Sequence, residues 1–371
     1  TGGYDDNVYY RYDQQEADYV ATGKPGFTLD YKSELFNIRS RGSVELLRYL
    51  HNSNLNRENY YALLDGGVKL TERWTLRGDF SFINDTTLDS QLEETGIVTV
   101  RTDRKRYNAG GELAYRLTEV SNVGAAFHHQ STRYGSKRYE DYDYESVRLF
   151  YDVRFNNGLD LFTVMPYYGY WDSDITTVNN YGLSFGLAHT FSETLSLEMF
   201  VGPRYTQTER KYTVREIVFD PNTGTFRLVE NEVRESDDNW GGTGNIQLKK
   251  NWLSTSAVVG YSHDLTYSSS AGEDAEPINV DRFFFTLSHR IKTRLRVSLS
   301  GSYYISESAS SFFDDDRRYM NVRPSIEYDL TRNYGLRLTY VYSREFNERV
   351  DTDRDRNRVW LAFTGKWPMM W

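Results

Sequence analysis

The chain has 371 residues, a formal net charge of −9 and no cysteine, which excludes a disulfide framework and a thiolate metal site and gives no support to a nucleic-acid binder. Tyr 31, Phe 20, Trp 7 and Gly 27 against only 7 Pro describe a chain built for strands and turns, yet the hydrophobic fraction is 39%, poor material for a soluble core of this length. No stretch approaches the roughly 18 uncharged apolar residues of a membrane-spanning helix, whereas a strand-built membrane protein needs spans of only about 9 to 11 residues with alternate positions apolar.

That alternation runs along the chain. In "WTLRGDFSF", Trp74, Leu76, Phe80 and Phe82 oppose Thr75, Arg77, Asp79 and Ser81. "SVRLFYDVRF" sets Val147, Leu149, Tyr151 and Val153 against Arg148, Asp152 and Arg154. "LRVSLSGSYYI" and "NYGLRLTYVYS" repeat the pattern, with Leu299 and Leu338 on the apolar side. A period of two means strands. Short turns such as "LTERW", "LTEVSN", "FNNGL" and "LTRNYG" alternate with longer polar segments such as "DTTLDSQLEETGIVTVRTDR" and "ERVDTDRDRN". The motif "LTE" or "LTR" at 70, 117 and 330, with "FSETL" at 191, reads as repeated turn chemistry. The longest hairpin, 205–240, turns at Asp220-Pro221-Asn222-Thr223-Gly224 and is expected to stand about 25 Å beyond the bilayer, outside the cell.

A β-sandwich pair or a propeller also alternates, but with shorter strands whose polar face meets bulk water. Here strands run long and aromatics crowd their ends, at Trp74, Trp252, Tyr334 and Trp367, as an interfacial aromatic belt requires. The expectation is one all-β domain over 1–371: a transmembrane, antiparallel, up-and-down β-barrel of about 18 strands in a bacterial outer membrane, with short periplasmic turns, longer extracellular loops, and membrane lipid and lipopolysaccharide around it.

If the apolar sets face lipid, the opposite sets line a lumen. They include Arg39 and Arg41, Arg77 and Asp79, Glu112, Arg148 and Asp152 in the first half. Glu198, Arg204, Arg296, Arg323, Glu327 and Arg337 follow in the second half. Both signs are present, so cross-strand pairing and weak ion selectivity are expected. Inward positions also carry Phe150, Tyr167, Trp171, Phe200, Tyr304 and Trp360. Such rings either stack on sugars or simply pack the wall, and wall packing is the plainer reading. Chemistry is not expected: Ser262, His263 and Asp264 are triad residue types, but neighbours on a strand point to opposite faces, and so do His128 and His129. "DTDRDRN" has alternating oxygen ligands, but Arg356 replaces the glycine and Ala362 the bidentate Glu of a calcium loop. No catalytic, cofactor or metal site is assigned.

"GGYDDNVYYR", "KPGFTLDYKSE", "LTERWTLRGDFSF" and "PSIEYDLTRNYGLRLTYVYS" resemble outer-membrane β-barrel porins found alongside exopolysaccharide biosynthesis and export systems, over nearly the whole chain. The resemblance implies an outer-membrane pore for secreted polysaccharide with periplasmic polysaccharide-export proteins as partners. A general diffusion porin for small solutes, or a structural sheath around a periplasmic or electron-transfer partner, would use the same architecture. The ending "VWLAFTGKWPMMW" resembles the C-terminal strand signal read by the barrel-insertion machinery, with Phe363, Trp367 and Trp371 on one face.

Overall fold

A computed structural model gives the fold, and it describes all residues except 97, 99, 100, 221–224, 269–275, 310–315, 349–350 and 368–371. Trp371 therefore lies outside the described residues. The first strands are β1 (Gly2–Asp5), β2 (Asp18–Gly23), β3 (Gly26–Lys32), β4 (Phe36–Tyr49), β5 (Arg57–Lys69) and β6 (Trp74–Thr86). They continue as β7 (Asp103–Arg116), β8 (Ser121–Tyr134), β9 (Tyr142–Phe155), β10 (Asp160–Ser173), β11 (Thr176–Ser192), β12 (Leu195–Asp220) and β13 (Thr225–Asn251). The last six are β14 (Thr255–Ser268), β15 (Glu276–Lys292), β16 (Leu295–Ser308), β17 (Arg317–Asp329), β18 (Tyr334–Asn347) and β19 (Thr352–Gly365).

All nineteen lie in one antiparallel sheet that closes on itself. β2 and β3 both pair with β4. They are two halves of one wall strand, interrupted where Pro25 has no N–H to donate, so the barrel has eighteen strands. Closure runs through β1, whose Gly2 lies opposite both Leu361 of β19 and Ala21 of β2. Among the described residues no strand pairs with the far edge of β3, so the seam is joined by β1 alone.

The outer face carries exposed apolar residues at every other position: Leu76 and Phe80 on β6, Val147, Leu149 and Tyr151 on β9, Leu338 and Tyr340 on β18. A belt of that kind is stable only against hydrocarbon. The spanning geometry follows from the same alternation, because a closed barrel leaves no lipid-facing backbone edge where its strands pair.

Repeated turn chemistry accounts for the short connections. Thr71 Oγ1 accepts the backbone N–H groups of Arg73 (3.2 Å) and Trp74 (3.0 Å). Thr118 does the same for Val120 and Ser121, and Thr331 for Asn333 and Tyr334. The hydroxyl substitutes for a backbone acceptor and holds the turn before the next strand begins. Replacing all three threonines by valine keeps size and branching but removes the acceptors. Each turn is expected to lose about 1 kcal/mol, read as slower refolding of urea-unfolded protein into detergent micelles. Unchanged refolding would remove the turns from the nucleation of the hairpins.

Two segments depart from expectation. Residues 87–96 do not form an outside loop: a π-helical turn (Thr87–Gln91) runs into α1 (Leu92–Thr95), and the chain reverses at Gly96, whose φ of +75° suits glycine. Leu88 and Leu92 are buried, so an amphipathic turn has folded inward to hide them. Most of "DTDRDRN" is also not loop. It opens β19, with Asp353 opposite Phe346, because Arg344 and Asp353 pair across the strands and make the polar run a ladder.

The β12–β13 hairpin pairs without a break from Leu195↔Lys250 to Asp220↔Thr225. The ladder of β11 stops at Thr176↔Arg210. Beyond the bond from the Lys211 N–H to the Ile175 carbonyl, residues 212–220 therefore stand clear of the neighbouring strand, over about 30 Å at about 3.3 Å per residue. They form a two-stranded blade and do not fold into the lumen.

Candidate functional site

Inside the barrel, the alternation that greases the outer wall leaves charged and polar side chains. In the half nearest the short turns they pair across strands. Arg39 donates to Asp30 (2.7 Å), and Arg77 donates to Glu112 (3.3 Å). Arg337 and Arg296 both reach Glu327, at 2.9 and 3.8 Å. Thr163 donates to Asp152 (2.7 Å). Arg77, Asp79, Glu112 and Arg148 line one cavity of about 350 Å³ with Asp65 and His128. Asp65 and Asp79 lie directly opposite one another there. Arg41 and Glu198 sit at inward positions and are exposed, and Arg323 is half-buried on the same face.

Arg204 is different. Only 3% of its side chain is exposed, because β14 separates from β13 above Gly244↔His263 and the β14–β15 hairpin end lies over the wall, where Asn279 accepts from Arg204. Trp360 also fails to face open lumen: it lies on Gly3 and packs against Val8, Val20, Leu47 and Tyr49. Three residues further along β19, Phe363 points outward and stacks on Tyr334, with Trp367 at the edge of that ring.

The half of the lumen nearest the long loops is occupied by protein. Leu88, Leu92 and Val98 of the inward segment meet Tyr10 and the wall residues Tyr304 and Tyr319. Trp171 and Val178 pack with Leu265, Tyr267 and Ala309. Three of the six inward aromatics, Trp171, Tyr304 and Trp360, are thus used up in packing.

Arginines latch this plug to the wall. Glu94 accepts from Arg104 (3.2 Å) and doubly from Arg106 (2.6 and 2.7 Å). Arg57 donates to Thr86 (2.9 Å) and pairs with Asp89. Arg101 donates to the Val8 carbonyl (3.2 Å) and Arg354 to the Val98 carbonyl (3.2 Å). Burial alone would raise the Glu94 carboxyl, but Arg104 and Arg106 hold it below the ordinary glutamate range. Sequence reading missed these residues. Their signal was the density of arginine in "RTDRKR" and "DRDRNR", which alternation assigned to loops and strand ends without a partner in view.

Ser262 and His263 do not converge, since His263 pairs outward with Asp281 (2.9 Å). His129 pairs with Glu145 (3.4 Å) on the outer face, while His128 sits in the inner cavity.

No family model and no curated protein matches the sequence. Among solved structures the chain is similar to the copper transporter OprC, with a TM-score of 0.51 and 12% identity over 95% of this chain and 64% of that one. It also aligns with the siderophore receptor PiuA from Acinetobacter baumannii (TM-score 0.48, 9% identity, 99% and 81% covered). Pseudomonas aeruginosa OpdL aligns at a TM-score of 0.43 and 13% identity, covering 99% and 97%. The chain spans less than two thirds of OprC. At these identities the likeness is one of fold. The closed barrel of eighteen strands and its apolar belt are those of an outer-membrane β-barrel.

Proposed function

We propose that this barrel is a channel for export of polysaccharide across the outer membrane, closed at rest by the inward turns at 87–96. The observation that carries the reading is the division of the lumen. One half is lined by charges of both signs, and the other is filled by residues of the chain itself, held by an apolar cluster, by ion pairs at Glu94 and Asp89, and by arginine hydrogen bonds to carbonyls. The ionic part of that contact weakens when its carboxylates are protonated, which apolar packing does not. A balanced wall suits a polar polymer better than a selected ion. The resemblance to porins of exopolysaccharide systems supplies the polymer class.

In this reading the short-turn face meets periplasmic polysaccharide-export proteins, the β12–β13 blade stands outside the cell among lipopolysaccharide, and Phe363 and Trp367 belong to the signal for barrel insertion. The protein contributes passage and no covalent chemistry. Two experiments test it together. Deleting the gene is expected to abolish a surface polymer, restored by the intact chain. The purified barrel is expected to conduct weakly in planar bilayers until its plug is released. A deletion strain with unchanged surface polymer, and steady large conductance by the intact protein, would favour general diffusion of small solutes instead.

A further inference from the structure

Five aromatic residues of the inner wall have a glycine directly opposite on the next strand: Trp360 and Gly3, Phe150 and Gly124, Tyr167 and Gly182, Phe200 and Gly186, Phe284 and Gly260. In every pair a ring carbon lies 2.2 or 2.3 Å from where a Cβ on the glycine would stand. The ring therefore lies flat on the glycine backbone, and any side chain there would push it up into the bore. The same device occurs on the lipid face, at Phe27 over Gly42 and Phe285 over Gly301, where an apolar ring is what hydrocarbon favours.

Inside a hydrated bore that explanation fails. An apolar surface left facing water costs about 25 cal/mol per Å², and serine or asparagine would fill an inward position without that cost. Two of the five rings are covered: Trp360 by the cluster around Val8, and Phe284 by the guanidinium of Arg282, 5.1 Å from its centroid. Phe150, Tyr167 and Phe200 remain, half-buried, with one face on glycine. They sit on β9, β10 and β12, so they cover three strand spacings, about 14 Å of continuous wall at about 4.8 Å each. Around them are hydrogen-bonding groups at inward positions that are not buried: Arg148 opposite Tyr167, and Asn245 opposite Phe200.

Flat apolar faces interleaved with polar side chains match one class of polar molecule. A pyranose offers an axial C–H face to a ring while its hydroxyls reach outward to amides and charges. We propose that Phe150, Tyr167 and Phe200 form a stacking site for successive sugar rings of a carbohydrate chain on the β8–β12 wall. The proposal rests on the polysaccharide reading above and names how that substrate is held.

The test is titration calorimetry of the intact barrel in detergent micelles with a linear gluco-hexasaccharide, and with polyethylene glycol of matched mass. The hexasaccharide is expected to bind and the glycol not to bind. Phe150→Leu with Phe200→Leu keeps apolar volume over the glycines but removes the flat faces, and is expected to weaken hexasaccharide binding at least tenfold. Phe285→Leu on the lipid face serves as the control and is expected to bind as the parent does. A parent that binds no hexasaccharide, a double variant that binds as tightly as the parent, or equal binding of the glycol would each overturn the site. If those results come with a surface polymer that still depends on the gene, the stacking site alone is wrong. Binding without any such polymer would sink the export reading instead.

Discussion

Glu94→Ala raises the open probability of the channel in planar bilayers about tenfold over the parent. Glu94 is where Arg104 and Arg106 from the wall meet α1 of the plug. Hydrogen bonds to charged groups contribute about 1.5 to 3 kcal/mol, and Glu94 is 36% exposed while Arg104 is only 3% exposed, so solvent screening places the effect near the lower figure. A shift of about 1.4 kcal/mol is tenfold in an equilibrium. The apolar part of the plug, Leu88, Leu92 and Val98 against Tyr304 and Tyr319, remains in the variant, so partial opening is expected and not loss of the plug.

The same carboxylate predicts a pH dependence. Its pKa is lowered from 4.5 in the latched state, so the latch is fully present above the ordinary glutamate range and is lost as pH falls through the lowered value. The parent should open on acidification below the ordinary glutamate range, and Glu94→Ala should show little further opening over that window. Identical conductance and noise in the parent and the variant at neutral pH would mean that the segment 87–96 is not the closing element.

The second large effect is at the seam. Arg356 of β19 donates to both carboxylate oxygens of Asp5 at the end of β1 (Nε at 3.0 and 3.1 Å), and the two side chains are 6% and 2% exposed. Asp5 also accepts the Asn7 N–H (3.1 Å), which holds the chain as it turns into the lumen. Arg356→Met leaves Asp5 buried without its partner, a loss of about 3 to 5 kcal/mol. Because β1 alone joins β2 to β19, the loss falls on barrel closure. The temperature at which the folded, fast-migrating form disappears on unheated denaturing gels should drop by about 5 to 15 °C. Asp5→Leu with Arg356→Met removes both charges and should recover most of that drop, since an apolar pair of similar volume carries no unpaired charge. A double variant no more stable than Arg356→Met would show that the pair matters through packing and not through charge.

How much of this was legible beforehand depends on the range of the interaction. The barrel was readable because its determinants are local: Leu76 and Phe80 lie two and six residues from Trp74 on one face, and Thr71 bonds N–H groups within its own turn. Inward charge at Arg77, Glu112 and Glu327 followed from the same alternation. The plug was not readable, because the 10- and 12-residue spacings of Glu94 to Arg104 and Arg106 run from α1 to β7 and match no single strand or helix period, and its other partners are far apart in the chain. Arg354 meets Val98 across 256 residues and Arg356 meets Asp5 across 351, and no local pattern separates an arginine that latches a plug from one that faces water. Arg204 was misplaced for a related reason: alternation puts it inward, but the cover supplied by Asn279 comes from a strand three positions around the wall.

Period-two patterning therefore settles from residue order alone that this chain forms an amphipathic closed sheet, since the two faces of a strand differ in what they can touch. Whether the bore stands open, where it is closed and which rings lie bare within it were settled only when distant strands came together. Those outcomes depend on side chains meeting across the lumen, and the distance across a barrel is not written in the spacing along its strands.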